Sequence, residues 1–377
     1  MLFLVHLFSA LEGETMTLTV LKWFTASVVL CLTFNSLVNA QSGGNFTITK
    51  SVIAGGGGRV SGGSFTVDGT VGQAAAGTTS TGGTFAVESG FWAGASAANL
   101  RTAIFDFDGD GKSDISVWRP ADGVWYIIQS GSASVRAQGW GLNGDKLVPA
   151  DFDGDRKSDL AVYRPNEGNW YIFNSSDNTT TVAGWGLPGD FPVPADYGGD
   201  GKADLAVYRP NEGKWYRRDS DGKLHIYSWG LPGDKPAPAD FNGDGVADMT
   251  VFRPSEGKWY TINSGNAAIS EFTWGLNGDI PIPGDYSGDG KSDFAVFRPS
   301  NQTWYRIHSD TFQIHIITWG LPGDFPTPGD YDGDGKQDLA VFRPSNSTWF
   351  INSSTGGIYS QPFGLAGDVP VENAFVY

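Results

Sequence analysis

From Ile104 onward the chain repeats itself six times, and that period limits the fold more than any other feature. Arg-Pro pairs begin at Arg119, Arg164, Arg209, Arg253, Arg298 and Arg343, with spacings of 45, 45, 44, 45 and 45 residues. Trp125, Trp170, Trp215, Trp259, Trp304 and Trp349 keep the same step, as do Trp-Gly pairs at Trp140, Trp185, Trp229, Trp274 and Trp319, with Phe363-Gly364 in the sixth copy. A unit this short cannot bury a core alone, so neighbouring units must stack on one another. One repeat reads as four short strands: Leu147 to Ala150, Leu160 to Arg164, Trp170 to Asn174 and Thr180 to Trp185, with a Pro165-Asn166-Glu167-Gly168 turn. Four strands per period is a propeller blade, so the predicted fold is all-β, a β-propeller preceded by a small Gly-rich β module. Six full copies predict six blades. Gly367 to Val371 restarts the pattern, with Ala374 where other copies carry Asp. Either that stretch closes the ring against the first blade, or residues 41–100 complete a seventh.

Composition supports the all-β reading, because Gly 53, Trp 14 and Phe 24 leave no long helix-forming stretch after residue 40. Residues 1–40 read as a signal peptide whose translation starts at Met16. Lys22 precedes the apolar run Ala26 to Leu32, and Val38-Asn39-Ala40 offers small residues for cleavage. The run is shorter than the roughly 20 residues that span a bilayer. Cys31, the only cysteine, falls inside this segment, so the mature chain has no thiol for a disulfide or a metal. Residues 41–95 form the Gly-rich module, with three copies of a Gly turn leading into a strand, at Ser42 to Ile48, Ser61 to Val67 and Thr81 to Val87. Residues 96–103 are a linker, and 104–377 the propeller.

Removing residues 1–40 leaves 24 basic against 39 acidic side chains, a balance that disfavours nucleic acid and anionic membranes as partners. The acidity is concentrated. Each repeat holds a nine-residue loop of the form Asp-x-Asp-Gly-Asp-Gly-x-x-Asp. Oxygen at alternate positions of a tight Gly turn suits calcium, which takes six to eight oxygen ligands. Side chains one, three and five converge, the carbonyl of residue seven points inward, and residue nine closes the shell. The predicted ligands are Asp106, Asp108, Asp110, Lys112 and Asp114 in the first loop, and Asp151, Asp153, Asp155, Lys157 and Asp159 in the second. The third has Asp196, Asp200, Lys202 and Asp204; the fourth Asp240, Asn242, Asp244, Val246 and Asp248. Asp285, Ser287, Asp289, Lys291 and Asp293 make the fifth, and Asp330, Asp332, Asp334, Lys336 and Asp338 the sixth. Asp and Gly also build ordinary turns, but turns do not require 21 of 39 carboxylates at these positions. Up to six divalent ions would relieve their repulsion and bring a charge of −15 to about −3.

These repeats resemble the FG-GAP or VCBS repeats of integrin α-subunit-like propellers, over residues 104–371. The loop is not an EF-hand, since its twelfth position falls on Val117, Val162 and their equivalents in a strand. The resemblance implies side-chain ligands at positions one, three, five and nine. Gly198 removes one ligand, and Asn242 and Ser287 each exchange a charge for a neutral oxygen, so affinity should fall at those three loops. Position six is Gly except at Arg156, where a left-handed turn costs about 1 kcal/mol. The first and last loops should therefore bind best.

In an up-and-down meander the Asp loops share a face with the turns between third and fourth strands. The other face carries the Pro-Asn-Glu-Gly type turns and the Gly-Asp loops, and the resemblance implies that ligands bind there. The periodic tryptophans are expected between blades. Each Arg of an Arg-Pro pair is expected to hold a Gly-Asp carboxylate. No catalytic set is read: His225, His308 and His315 lack metal-ligand spacing, and no Ser sits in a nucleophile elbow. The expected protein is a secreted, calcium-binding adhesion or binding module for an extracellular glycan or protein, with no transmembrane span in its mature form. The alternatives are a propeller-fold enzyme that cleaves polysaccharides and a purely structural surface protein.

Overall fold

The computed structural model describes residues 104–371 and, before them, paired strands between Ser42 and Glu88. The chain divides into two units, Met1–Ala97 and Ala98–Tyr377. The predicted signal peptide, the linker 96–103 and Ala374 lie outside the described residues.

In the first unit the three Gly-turn copies are antiparallel hairpins. Ser42–Gly43 pairs with Phe46–Thr47, Gly58–Gly62 with Phe65–Gly69, and Thr79–Gly82 with Phe85–Glu88.

The second unit is six four-stranded antiparallel sheets, one blade per repeat. Blade II runs Lys146–Leu147, Leu160–Arg164, Asn169–Phe173, Thr180–Gly184 from first to fourth strand. The first strand is shorter than the sequence pattern predicts, because the chain leaves the ladder at Pro149 and touches it again through a bridge between Ala150 and Asp159. Blades III to VI repeat this order. Blade I draws its first strand from the other end of the chain: Val369–Pro370 pairs with Ile115–Arg119. The ring therefore has six blades and not seven, closed by the stretch that restarts the pattern.

Strand alternation explains what fills the ring. In each third strand the tryptophan is buried, from Trp125 to Trp349, with at most 1% of its surface exposed. Its neighbours on the next blade complete the contact: Trp304 clusters with Leu339 and Val341 of blade VI. Each such ring removes on the order of 200 Å² from water, so the tryptophans are the main adhesive between blades. The indole nitrogens of Trp125, Trp170, Trp215, Trp259 and Trp304 find acceptors, whereas Trp349 Nε1 is buried without one. Trp125 Nε1 donates to the Trp140 carbonyl at 2.8 Å, and Trp140 Nε1 crosses to the Tyr171 carbonyl of the next blade at 3.0 Å. The crossing bond recurs from Trp185, Trp229, Trp274 and Trp319. At the closing junction the Phe363 side chain has no N–H to give.

Each blade junction also carries the expected ion pair. Arg164 donates through Nε and Nη2 to both oxygens of Asp145, at 2.9 and 3.1 Å, and the same fork joins Arg209 to Asp190, Arg253 to Asp234, Arg298 to Asp279 and Arg343 to Asp324. Arg119 reaches Asp368, 249 positions away, at 2.8 and 2.9 Å. The aspartate side chains are 1–2% exposed. Each also accepts a backbone N–H, as Asp145 does from Leu142, which satisfies the buried carboxylate.

Candidate metal centres

The six Asp loops sit between first and second strands, and each is held by its own backbone before any ion is considered. In the first loop Asp106 accepts the N–H groups of Gly109 and Gly111 at 2.6 and 2.8 Å. Asp108 accepts from Asp110, and Asp110 from Lys112. Asp114 accepts from Phe107 at 2.8 Å. Left-handed backbone at positions four and six lets these N–H groups turn inward, as at Gly109 and Gly111 with φ of 83° and 87°. Arg156 takes the same conformation with φ 68°, the strain expected for a residue with a Cβ.

The turn between third and fourth strands closes over each loop, on the same face as predicted. Sequence reasoning passed over its serine. Ser130, Ser175, Ser220, Ser264, Ser309 and Ser354 each stand 24 residues after the loop's first Asp, in all six copies. Their N–H groups donate to the position-nine carboxylates at 2.7–2.9 Å. Their hydroxyls donate to position five, for example Ser175 to Asp155 at 2.9 Å and Ser309 to Asp289 at 2.7 Å. The signal was there to find, since serine at that step is as periodic as the tryptophans.

The loops are also linked to each other. The N–H of residue eight donates to the position-one carbonyl of the preceding loop: Ser158 to Asp106, Ala203 to Asp151, Ala247 to Asp196, Ser292 to Asp240, Gln337 to Asp285, and Ser113 back to Asp330, at 2.6–2.8 Å. The position-seven stem packs on the position-four glycine of that preceding loop, as Lys157 does on Gly109 and Lys112 on Gly333. The six loops thus form a closed circuit around the ring.

Three loops gather carboxylates tightly enough for one ion. Oxygens of Asp106, Asp108 and Asp114 lie within 4.8 Å of one another, as do those of Asp151, Asp153 and Asp159, and those of Asp330, Asp332 and Asp338. That span is about twice a calcium–oxygen bond of 2.3–2.6 Å. None of these nine carboxylates is engaged by a lysine or arginine in an ion pair among the described residues. Position five stands outside the triads, held by the turn serine. Among the described residues the third, fourth and fifth loops form no such triad of carboxylates; their third residues are Gly198, Asn242 and Ser287. Burial pushes the position-nine carboxyls up, to about 6 at Asp114, Asp159, Asp204 and Asp293 and to about 7 at Asp338. Burial also raises Asp332, yet the hydroxyls of Ser353 and Thr355 outweigh it and hold that carboxyl well below the usual range. An all-oxygen set with hard, negatively charged donors fits a calcium ion and offers nothing to a softer metal.

Gly198 supplies a test of what position three contributes. A Cβ there would meet only Asp204 at 3.7 Å and Asp196 at 3.9 Å, ordinary contacts, on backbone that needs no glycine. Gly198→Asp should therefore fold and create a fourth triad. Its melting temperature should fall below that of the parent in chelator, by about 2–4 °C for ~1 kcal/mol of repulsion, and rise above it in excess calcium. Calorimetric titration should count one more tight site; an unchanged count would remove position three from the coordination scheme.

On the opposite face, grooves open between adjacent blades. One of about 300 Å³ is lined by Glu167, Trp185, Leu187, Arg209 and Tyr216, and a larger one of about 390 Å³ lies at the closing junction beside Arg119, Tyr126 and Phe363. Arg209 lies over the Tyr216 ring at 4.1 Å. Among the described residues no helix is long and apolar enough to cross a membrane.

A family model described as FG-GAP-like repeat matches residues 151–207, 196–251 and 285–341. No curated protein sequence matches the chain. Similar solved structures include a streptogramin B lyase, 12% identical over 70% of this chain and 85% of that one, with a TM-score of 0.45. Another is virginiamycin B lyase from Staphylococcus aureus, 12% identical over 70% and 88%, with a TM-score of 0.42. An Agrocybe aegerita lectin specific for non-reducing terminal N-acetylglucosamine is 15% identical over 70% and 90%, with a TM-score of 0.44.

Proposed function

The chain carries FG-GAP-like repeats, and on that premise we propose that it is a secreted, calcium-dependent binding module for an extracellular glycan or protein. The observation that carries the reading is the set of three carboxylate triads on one face of a closed ring, each held open by backbone N–H groups and lacking a basic partner. Asp106, Asp108 and Asp114 would hold one ion, and the two equivalent triads two more. Bound calcium supplies charge that these loops otherwise lack, and it fixes the third–fourth turns through the loop carboxylates they already share.

The ligand face in this reading is the other one, where inter-blade grooves offer stacked aromatic and guanidinium groups beside exposed Glu167 and Leu187. Such a surface suits a polar, ring-containing ligand. Calcium acts at a distance, by keeping the ring closed and the grooves in shape. Secretion follows from the predicted signal peptide alone. A glycan array run with calcium and again with chelator tests the proposal, and hits should appear only with calcium. A reducing-end assay on those hits separates binding from cleavage: turnover would make the chain a polysaccharide-cleaving enzyme instead. Binding that ignores the chelator would detach the loops from function.

A further inference from the structure

We propose that Arg306, His308 and His315 form an oxyanion-binding site in blade V, taking a sulfate, phosphate or carboxylate group. The register places them together. Arg306 is directly opposite His315 across the third and fourth strands, and His308, two residues further on, shares their side of the sheet. The two imidazoles stack with centroids 3.8 Å apart and planes 15° off parallel. Arg306 is only 8% exposed, yet its Nε is buried without a hydrogen-bond partner, and so is Nε2 of His308. The guanidinium has a Tyr286 ring 5.0 Å away, which cannot replace an acceptor for those N–H groups.

The ring contains its own control. In blade III, Arg217 is opposite His225 in the same register, and the residue two past the arginine is Asp219. That carboxylate pairs with both, its oxygens 2.6 Å from Arg217 Nε and 2.9 Å from His225 Nε2, and it accepts a hydrogen bond from Arg217 Nη2 at 3.3 Å, although Arg217 Nε, like Arg306 Nε, has no aligned acceptor. Blade V puts His308 where Asp219 stands, so a third nitrogen base replaces the bridging anion. The arginine is not required for packing, because the equivalent positions are Ile127, Ile172, Thr261 and Ile351 in the other blades, all buried. Asp293 and Asp310 lie near enough to act on Arg306 and His308, but no carboxylate among the described residues is ion-paired to Arg306, and a buried guanidinium beside two imidazoles is costly unless an anion completes it. Half-buried His308 and His315 leave a route for one to enter.

A metal ion suits the cluster poorly. Lone pairs of two nearly parallel, stacked rings do not converge on one point, and the Arg306 charge repels a cation. An oxyanion pairs with the Arg306 guanidinium and accepts from imidazole N–H groups, as Asp219 pairs with Arg217 and His225 in blade III.

The anion is either free or carried by an acidic sugar, and two titrations of the calcium-loaded protein in chloride-balanced buffer separate these. One uses sodium sulfate and the other sodium D-glucuronate. The wild type should bind one equivalent of at least one of them, and tighter binding of glucuronate would make a saccharide the source. His308→Asp supplies an internal carboxylate and should weaken that binding at least tenfold, while melting at or above the parent temperature. Arg306→Ile, the residue of blades I and II, should abolish it. Asp219→His should raise the stoichiometry to two by building the same site in blade III. Absence of uptake of either anion, or uptake that His308→Asp leaves unchanged, would overturn the assignment.

Discussion

Stripping divalent cations should lower the melting temperature of the mature protein by at least about 15 °C, and calorimetry should count three tight calcium sites with weaker ones behind them. The size follows from mass action. A ligand at a hundred times its dissociation constant stabilises by about 2.7 kcal/mol per site, so three triads contribute about 8 kcal/mol, and each kcal/mol moves a domain of this size by about 2–4 °C. The three are the first, second and sixth loops, whose position three is Asp. Acidity should reverse the effect in the stripped protein. The position-nine carboxyls have folded-state values raised by burial to about 6 or 7, above the ordinary aspartate range near 3.8. A group shifted upward favours the folded state fully below its unfolded value, and that advantage is lost as pH rises through the folded value. Chelated protein should therefore melt higher at pH 5 than at pH 8, whereas calcium-loaded protein should melt lower at pH 5, because protons compete with the ion. Equal melting with and without chelator at pH 8 would sink the metal assignment.

Much of this architecture was legible in the sequence, because repetition multiplies a weak signal. One Asp-x-Asp-Gly-Asp-Gly loop or one Arg-Pro pair says little. Six copies in step specify a strand order, a loop and an ion pair, and Arg164 does hold Asp145 as the pattern implies. The buried tryptophans were readable for the same reason. What escaped notice were contacts between one repeat's backbone and the next. The bond from Ser158 N–H to the Asp106 carbonyl involves no diagnostic side chain, so no residue type marks it. The turn serines were visible and overlooked, since serine is ordinary in a β turn and acquires meaning only when the turn is seen to lie over the loop. The cluster at Arg306 escaped for the opposite reason: it departs from the repeat, and only the register shows that His308 stands in the place of Asp219.

Ring closure has the largest single-residue consequence. At five junctions the chain itself runs from one blade to the next, so losing an ion pair there leaves a covalent connection. At the sixth, blade I is completed by a two-residue strand, Val369–Pro370, from the far end of the chain. The crossing indole bond is missing because residue 363 is Phe, and an inter-blade groove of about 390 Å³ lies there. The Arg119–Asp368 fork therefore carries the closure, with an aspartate side chain 1% exposed and an arginine 22% exposed. Removing one partner of such a pair strands the other's charge, and Asp368→Ala or Arg119→Ala should each cost about 3–5 kcal/mol. Replacing both with leucine should cost less than either, since no lone charge is left behind. The matching change within the chain's path, Asp234→Ala, should destabilise a blade junction while leaving the ring closed. Limited proteolysis distinguishes the cases: Asp368→Ala should release the carboxyl-terminal strand early and expose blade I first, and Asp234→Ala should not. If the two variants are cut at the same places and rates, closure does not depend on the terminal pair, and the covalent path alone fails to explain why the junctions differ.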